Sequence, residues 1–525
     1  MVTTFLTWLG LLTVVAYCQD TSTKPLELPL PERALWRFGE MDSTESNGFY
    51  LLTYSPNGKL LATRNRKNLI QIHNVEDRKL ISEWVAYDNR VKSFEFSPDS
   101  NHLMTVASAK DPVKIWDVHT GKLKLKIDEE VLNARFSSSG KSILILGPIL
   151  IAEFSWPAGK LIDRIDNSRI FQKSINLGLA INNNGRYVIT QSKMNNQQFN
   201  LTKLIDVNAP SSVILPGPSQ KPKSIIVSND NNWIAAIYPR QEKIRLWNLH
   251  DPHGEKYELT GHSRTVESIA FSKDSRFLVS TGWDKRVVVW DVLTQKQIAK
   301  LKGHDDRANC VDFSPKELTL ATGASGLNDS TVIIWSIEHA LLPEPVKEIA
   351  TEEQFDIAWL GLGDASPTTA LAHANNLRHS IEQSLAWLEV RIGQKTTTSM
   401  DVIRNSIKNL QANTFSEREA ATQQLIELRG TAEQILMETL ENAESTELKY
   451  RINLVLNHAI ERPKIDASEL RRLHRAIYLL ELVADKQEYR ELASNLLLNL
   501  SLNHPHIDIA RDAKFAIDRI KNKPQ

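Results

Sequence analysis

The sequence predicts a chain of two structural classes, an all-β ring of seven four-stranded units followed by an α-helical repeat domain. Three observations predict it. A turn motif recurs seven times at intervals of 40 to 46 residues. A second apolar anchor follows each copy by 18 to 24 residues, and near residue 352 the hydrophobic period changes from two to 3.6. The 525 residues, 63 basic against 63 acidic side chains, 41% hydrophobic content and two cysteines describe a globular chain. At about 100–200 residues per domain, that length suits a few folded units and no disordered, collagenous or disulfide-stapled class. Zero net charge gives no overall pull toward nucleic acid, so no nucleic-acid partner is expected. The charge is unevenly placed: from Leu341 on there are 22 basic and 27 acidic residues, against 41 and 36 before it.

The first element is an N-terminal run, Phe5 to Tyr17, 13 residues long and mostly apolar. It falls short of the ~20 residues a membrane-spanning helix needs and matches the apolar core of a secretory signal. Ala16-Tyr17-Cys18 supplies a cleavage site, so residues 1–18 are expected to be a signal and 19–33 a linker. Cys18 could instead carry a lipid anchor, and a retained cytosolic N-terminus is the third alternative. With the signal removed, only Cys310 remains, which rules out an intrachain disulfide and a cysteine-based zinc site. Cys310 lies in an apolar strand pattern and reads as a small buried filler.

The repeats occupy residues 34–342. Their turn motif reads Tyr54-Ser-Pro-Asn-Gly58, Phe96-Ser-Pro-Asp-Ser100, Phe136-Ser-Ser-Ser-Gly140, Ile181-Asn-Asn-Asn-Gly185, Val227-Ser-Asn-Asp-Asn231, Phe271-Ser-Lys-Asp-Ser275 and Phe313-Ser-Pro-Lys-Glu317. The second anchors are His73, Trp116, Phe154, Ile205, Trp247, Trp290 and Trp335. Short β-prone runs split by Pro, Gly, Asn and Asp turns are the pattern of small antiparallel sheets. Runs such as Val287-Val-Val-Trp290 are too continuously apolar for a sheet with one wet face, so the sheets must stack radially and close into a ring. No fourth strand follows Trp335, whereas Ala34-Leu-Trp-Arg-Phe38 stands alone ahead of the first unit. That lone strand is expected to complete the last unit and leave no orphan edge.

These residues resemble the WD-repeat family of β-propellers. Trp116-Asp117 and Trp290-Asp291 match its naming dipeptide, Trp247-Asn248 and Trp335-Ser336 are variants, and Gly261-His262 and Gly303-His304 match its other landmark. The resemblance implies a structural hydrogen-bond tetrad in the sixth unit, His262, Ser280, Asp284 and Trp290. It implies another in the seventh, His304, Thr322, Asp329 and Trp335. The second unit departs, with Lys110 six residues before its Trp and Asp111 one place late. The fifth has Gln241 there, and the first, third and fourth lack the Trp.

Residues 343–525 carry helical stripes, among them Leu448, Ile452, Val455, Leu456 and Ala459. Ser416 with Glu419 reads as a capping box, Thr431, Ser445 and Ser468 as further helix starts, and Gly430 as a stop. Seven to nine helices in a HEAT- or armadillo-like layer are expected. Phe415-Ser-Glu-Arg-Glu-Ala-Ala421 and Arg475-Ala-Ile-Tyr-Leu-Leu-Glu481, with Pro29-Leu30-Pro31 before the ring, are similar to bacterial exported WD-repeat proteins with helical tails. That similarity implies an exported (periplasmic or secreted), non-enzymatic protein-interaction scaffold.

Motifs for chemistry are sparse. Gly361-Leu-Gly-Asp-Ala-Ser366 lacks the third glycine of a dinucleotide loop, and Gly323-Ala-Ser-Gly-Leu327 misses the nucleophile elbow at its last place. His504, His506 and Asp508 have ligand chemistry but no distant fourth partner. No cofactor, metal, small-molecule substrate or catalytic residue is therefore expected. The candidate partner-binding residues are Trp283, beside Asp284 in a turn, and Arg90 and Arg307, each six residues before a Phe anchor. A propeller enzyme with an unrecognised channel site and a nucleic-acid-binding adaptor are the alternatives.

Overall fold

The computed structural model describes residues 30–521 apart from 42–47, 167–176, 182–186, 192–197, 204–210, 217–221, 249–255, 342–348, 393–399, 458–464, parts of 429–444, and isolated single residues and pairs. The expected signal, Cys18, Pro29, Ile205, Gly430 and Thr431 lie outside the described residues.

Among the described residues, twenty-eight strands form seven antiparallel sheets of four. The first strands of the sheets neighbour one another in sequence around an axis: β2 (Phe49–Tyr54), β6 (Ser93–Phe96), β10 (Asn133–Phe136), β14 (Leu177–Ile181), β18 (Ser224–Val227), β22 (Val266–Phe271) and β26 (Ala308–Phe313). β26 returns to β2, so the ring closes as a seven-bladed propeller.

The recurrent motif works as a local clamp. Its serine hydroxyl accepts the backbone N–H five residues on: Leu60 on Ser55 at 2.9 Å, His102 on Ser97 at 3.0 Å, Phe277 on Ser272 at 3.0 Å. The same hydroxyl donates to the Asn or Asp two places later, as in Ser55 to Asn57 at 2.7 Å. Neighbouring turns are stitched together, Asn57 N–H to Ser100 Oγ at 3.1 Å and Asp230 N–H to Ser275 Oγ at 3.0 Å. A side chain that satisfies turn donors where the chain must reverse explains why Ser recurs at that place.

The last blade is completed by the chain's N-terminal strand. β1 (Ala34–Met41) pairs antiparallel with β28 (Asp329–Ser336), Phe38 opposite Val332, in the order β1-β28-β27-β26, where β27 is Thr319–Ala324. The strand extends three residues past the expected Phe38. Trp36 and Phe38 point into the seam between the last and first blades, in a core with Phe49, Leu61, Cys310 and Ile334.

After a single turn, α1 (Glu338–Leu341), the described helices are α2 (Glu352–Leu362), α3 (Pro367–His379), α4 (Ile381–Ile392), α5 (Met400–Asn409), α6 (Phe415–Glu427), α7 (Thr446–Asn457), α8 (Ala467–Val483), α9 (Gln487–Asn503) and α10 (Ile507–Lys521). Two helix starts differ from the sequence reading. Thr414 caps α6 in a capping box with Glu417, leaving Ser416 inside the first turn, and Asp466 caps α8, accepting from Ser468 and Glu469 N–H. In each case a residue able to accept the same orphan N–H groups stood two positions earlier. Ser366 caps α3, its hydroxyl accepting from Thr369 N–H.

The helices share two cores. One joins α2, α3 and α4 to α8, α9 and α10, and the other joins α5, α6 and α7. The first unit docks on the propeller. Leu371 of α3 and Tyr478 of α8 enter a core with Phe277, Leu320 and Trp335 of the last two blades. Arg276 of blade 6 reaches Glu481 at 2.7 Å and Asp512 at 3.4 Å, while Arg475 donates to Asp291 at 3.2 Å.

Candidate functional site

In an antiparallel four-stranded blade, the first-to-second and third-to-fourth turns lie on one face of the ring, and the second-to-third turn and the link to the next blade on the other. Asp274, Arg276 and Asp291 belong to the first face, so the helical unit covers blade 6 there. Trp283, Arg307 and Arg90 belong to the opposite face, which the docked helices leave open.

The open face is built on the tetrads. His262 lies 2.9 Å from Asp284 through Nδ1 and 2.8 Å from Ser280 through Nε2, and Trp290 Nε1–H donates to Ser280 at 2.8 Å. In blade 7, His304 lies 2.8 Å from Asp329 and 2.7 Å from Thr322, and Trp335 donates to Thr322 at 2.7 Å. Burial raises both carboxyl pKa values, but the histidine and backbone donors outweigh it and hold each below the usual carboxylate range. Each carboxylate thus ties the inter-blade link to the second-to-third turn. Asp284→Ala is expected to strand the His262 and Ser263 donors and to cost about 1–3 kcal/mol. An unchanged denaturant midpoint would show that this tie carries no stability.

The irregular blades replace the tetrad by other means. In blade 2, Trp116 Nε1–H donates to Thr105 Oγ at 2.9 Å, Tyr87 takes the histidine's region, and its hydroxyl donates to the Thr105 carbonyl at 2.8 Å. Lys114 lies 4.2 Å over the Tyr87 ring, while Asp111 accepts from Ser108 within its own turn. In blade 1, His73 replaces the Trp. It is fully buried, its ring nitrogens have no hydrogen-bond partner among the described residues, and burial pushes its pKa down to about 4. Trp36 and Phe38 supply the aromatic bulk there.

On the open face, Trp283 and Arg307 come together and Arg90 stands elsewhere. The Arg307 guanidinium carbon lies 4.1 Å from the Trp283 ring centroid, a stacked cation–π contact. Trp283 is half-buried; its N–H donates to the Thr265 carbonyl at 2.9 Å and its Nε1–H to Glu267 at 2.7 Å, and Glu267 also pairs with Lys223. Arg90 instead lies 5.1 Å from the Tyr50 ring centroid, which Arg64 approaches at 5.4 Å. Burial, then the charge of Arg90, pushes the Arg64 pKa down to about 10.

Beside Trp283 opens a cleft of about 510 Å³ lined by Arg240, Gln241, Glu242, Lys243, Arg245, Arg264, Thr265 and Trp283. Sequence reasoning missed it. Arg264 stands seven residues before Phe271, one place off the spacing that singled out Arg90 and Arg307, and Arg240 lies in a turn with no motif.

Elsewhere, Asp312 is half-buried, accepts from Thr53 Oγ at 2.7 Å and Tyr54 N–H at 2.9 Å, and joins the last blade to the first; its loss of solvent pushes its pKa up to about 6. Cys310 is buried, and burial raises its thiol pKa. His506 Nδ1 lies 3.9 Å from Asp508, and no group of three or more ligand-type side chains is placed to hold a metal among the described residues. No described helix is long and apolar enough to cross a membrane.

Comparison with known proteins agrees with this geometry. Residues 254–291 and 295–336 match the WD domain, G-beta repeat model. The chain is 25% identical over 306 residues to "WD repeat-containing protein WDS homolog" of Arabidopsis thaliana, 55% of each chain. It is 25% identical to "WD repeat-containing protein 26 homolog" of the same plant, over 55% of this chain and 48% of the relative. It is 22% identical to "Actin-interacting protein 1" of Caenorhabditis elegans, over 48% of this chain and 40% of the relative. The chain thus spans about half the length of the curated relatives it matches. The matched segments hold the two complete tetrads, and blades 6 and 7 are therefore WD40 repeats in a ring similar to those of WD-repeat proteins.

Proposed function

We propose that the protein is a non-enzymatic interaction scaffold that binds protein partners through the open face of its propeller. One observation carries this reading. The helical unit is fastened to one face by buried ion pairs, and the opposite face presents a half-buried Trp283 held rigid under an exposed Arg307. Aromatic and arginine side chains fixed in advance lose little entropy on binding, which is why they anchor protein interfaces. The name of one relative, an actin-interacting protein, fits a binding role.

Replacing Trp283, Arg307 and Arg90 together by Ala is expected to weaken capture of native partners. Trp283→Ala alone should weaken it several-fold, more than about 1 kcal/mol. Pull-downs with wild type and folded variants check this. Equal partner sets at equal yields would move the binding site to the helical grooves.

Export is part of the same reading, supported by the apolar run Phe5–Tyr17 ahead of a polar stretch. Cell fractionation with N-terminal sequencing is expected to find a mature chain outside the cytoplasm, beginning after Cys18 or lipidated on it. A cytosolic chain that keeps Met1 would overturn it.

A further inference from the structure

We infer that the cleft between blades 5 and 6 on the open face binds an acidic peptide segment, its carboxylates on Arg240 and Arg264 and an apolar side chain on Trp283. This deepens the scaffold reading and rests on it for the choice of a peptide as ligand.

The charge of the cleft is the first argument. Its lining holds four cations, Arg240, Lys243, Arg245 and Arg264, against one carboxylate, Glu242. Glu258 engages two of the four, lying 2.9 Å from Lys243 and 3.4 Å from Arg245, and Arg245 also donates to Gln241 at 3.0 Å and stacks 4.9 Å from the Tyr238 ring. Arg240 and Arg264 are exposed and have no ion-pair partner among the described residues. Two free guanidiniums at the mouth of a concave site with a cationic floor make a forked receptor for carboxylates. The residues before Leu341 carry five more basic than acidic side chains, so the whole propeller adds to the attraction.

Rigidity is the second argument. The Val266 N–H donates to the Gln241 carbonyl at 2.9 Å and the Trp283 N–H to the Thr265 carbonyl at 2.9 Å, so three loops from two blades are tied by their backbones. Trp283 is further held by Glu267 and Arg307 and offers a fixed apolar wall.

The third argument is the backbone at Arg240. In the turn Tyr238-Pro-Arg-Gln241, Gln241 N–H donates to the Tyr238 carbonyl at 3.2 Å, and Arg240 takes φ +60°. With Pro at the second place, this third place of the turn is one glycine fills without strain. The turn itself therefore does not call for an arginine side chain at this place.

The same feature supplies a clean variant, because Arg240→Gly relaxes the turn. Fluorescence polarisation at about 0.1 M salt would use three labelled twelve-residue probes: alternating Glu and Leu, the same with Gln for Glu, and the same with Lys for Glu. Wild type should bind the Glu peptide at least tenfold more tightly than the Gln peptide, with affinity falling as salt rises. Arg240→Gly with Arg264→Ser should lose at least tenfold for the Glu peptide while unfolding no earlier than wild type. Trp283→Ala should lose several-fold, and Arg240→Glu with Arg264→Glu should come to prefer the Lys peptide. Equal binding of Glu and Gln peptides, no saturation below millimolar, or unchanged affinity in the Arg240→Gly, Arg264→Ser variant would overturn the inference. Tighter binding of a single-stranded DNA of equal charge would overturn it too, in favour of nucleic acid. Native partners still lost in the Trp283, Arg307 and Arg90 variant, with the peptide indifferent to Arg240 and Arg264, would sink this inference and leave the scaffold reading standing.

Discussion

Phe38→Ala is expected to lower the unfolding free energy by about 3–5 kcal/mol, the usual cost of removing a large buried aromatic side chain. Phe38 is fully buried on a strand more than 290 residues from its pairing partner Val332. Its ring centroid lies 4.6 Å from Trp36, 4.3 Å from His73 and 5.9 Å from Phe49. The cavity would thus open in the seam where the ring closes, and neighbours held by two different blades have little freedom to collapse into it. A pH signature should accompany the loss. His73 is neutral in the fold with its pKa pushed down to about 4, so the stability linked to it is present above the ordinary value of 6.5 and lost as pH falls from 6.5 toward 4. Water entering the cavity would raise the His73 pKa toward 6.5 and flatten that acid limb. Urea unfolding at pH 7 and at pH 5 checks both outcomes. A variant within about 0.5 kcal/mol of wild type at pH 7 would show that the seam does not depend on the latch.

The ring was legible because its blades repeat a local clamp whose residues are short-range in sequence. Ser55, Ser97 and Ser272 each satisfy donors within five residues, so the pattern survives reading one letter at a time. The missing last strand was legible by subtraction, as nothing β-prone followed Trp335. What the substitutes in irregular blades pack against was not. His73 stood in the tryptophan's place at the anchor spacing, but nothing announced that Trp36 would arrive beside it from another blade. Tyr87 stands in for a histidine because Lys114 and the Thr105 carbonyl meet it, a long-range packing solution with no signature at a fixed spacing. The open face was half legible. Trp283 was visible as an aromatic that no turn requires, and Arg307 as a position shared with Arg90, yet only the fold shows that one stacks on the other while Arg90 pairs with Tyr50. The cleft depends on three loops converging, and its outermost arginine sits one place off the repeat register.

Arg276→Met should cost about 3–5 kcal/mol, because it would break a buried ion network by taking out its central cation. Arg276 lies in the first turn of blade 6, 2.7 Å from Glu481, 3.4 Å from Asp512 and 3.5 Å from Asp274, and 4.9 Å from the Tyr478 ring. Arg519 grips Glu481 at 2.8 and 2.9 Å, and His474 lies 2.8 Å from Asp512. Burial alone would lower the Arg276 pKa, but Asp512, Glu481 and Asp274 outweigh it and hold it above the ordinary value. Burial alone would likewise raise the Asp512 and Glu481 carboxyls, but Arg276 and its fellow donors hold both below the ordinary carboxylate range. The methionine keeps the apolar stem against Tyr478 and leaves three carboxylates facing one another beside Arg519. The sign with pH follows. Carboxyls held low contribute stability above their unfolded values near pH 4 and lose it as pH falls through the folded values, so the gap between wild type and variant should shrink below about pH 4. Adding Glu481→Gln should recover part of the loss, since it removes one of the stranded charges; the two changes would then cost less together than their sum. Thermal unfolding of the single and double variants at pH 7 and pH 3.5 reads all three effects. A pH-independent gap, or strictly additive losses, would mean that the helical unit is held to the propeller by its apolar contacts through Leu371 and Tyr478 and not by this network.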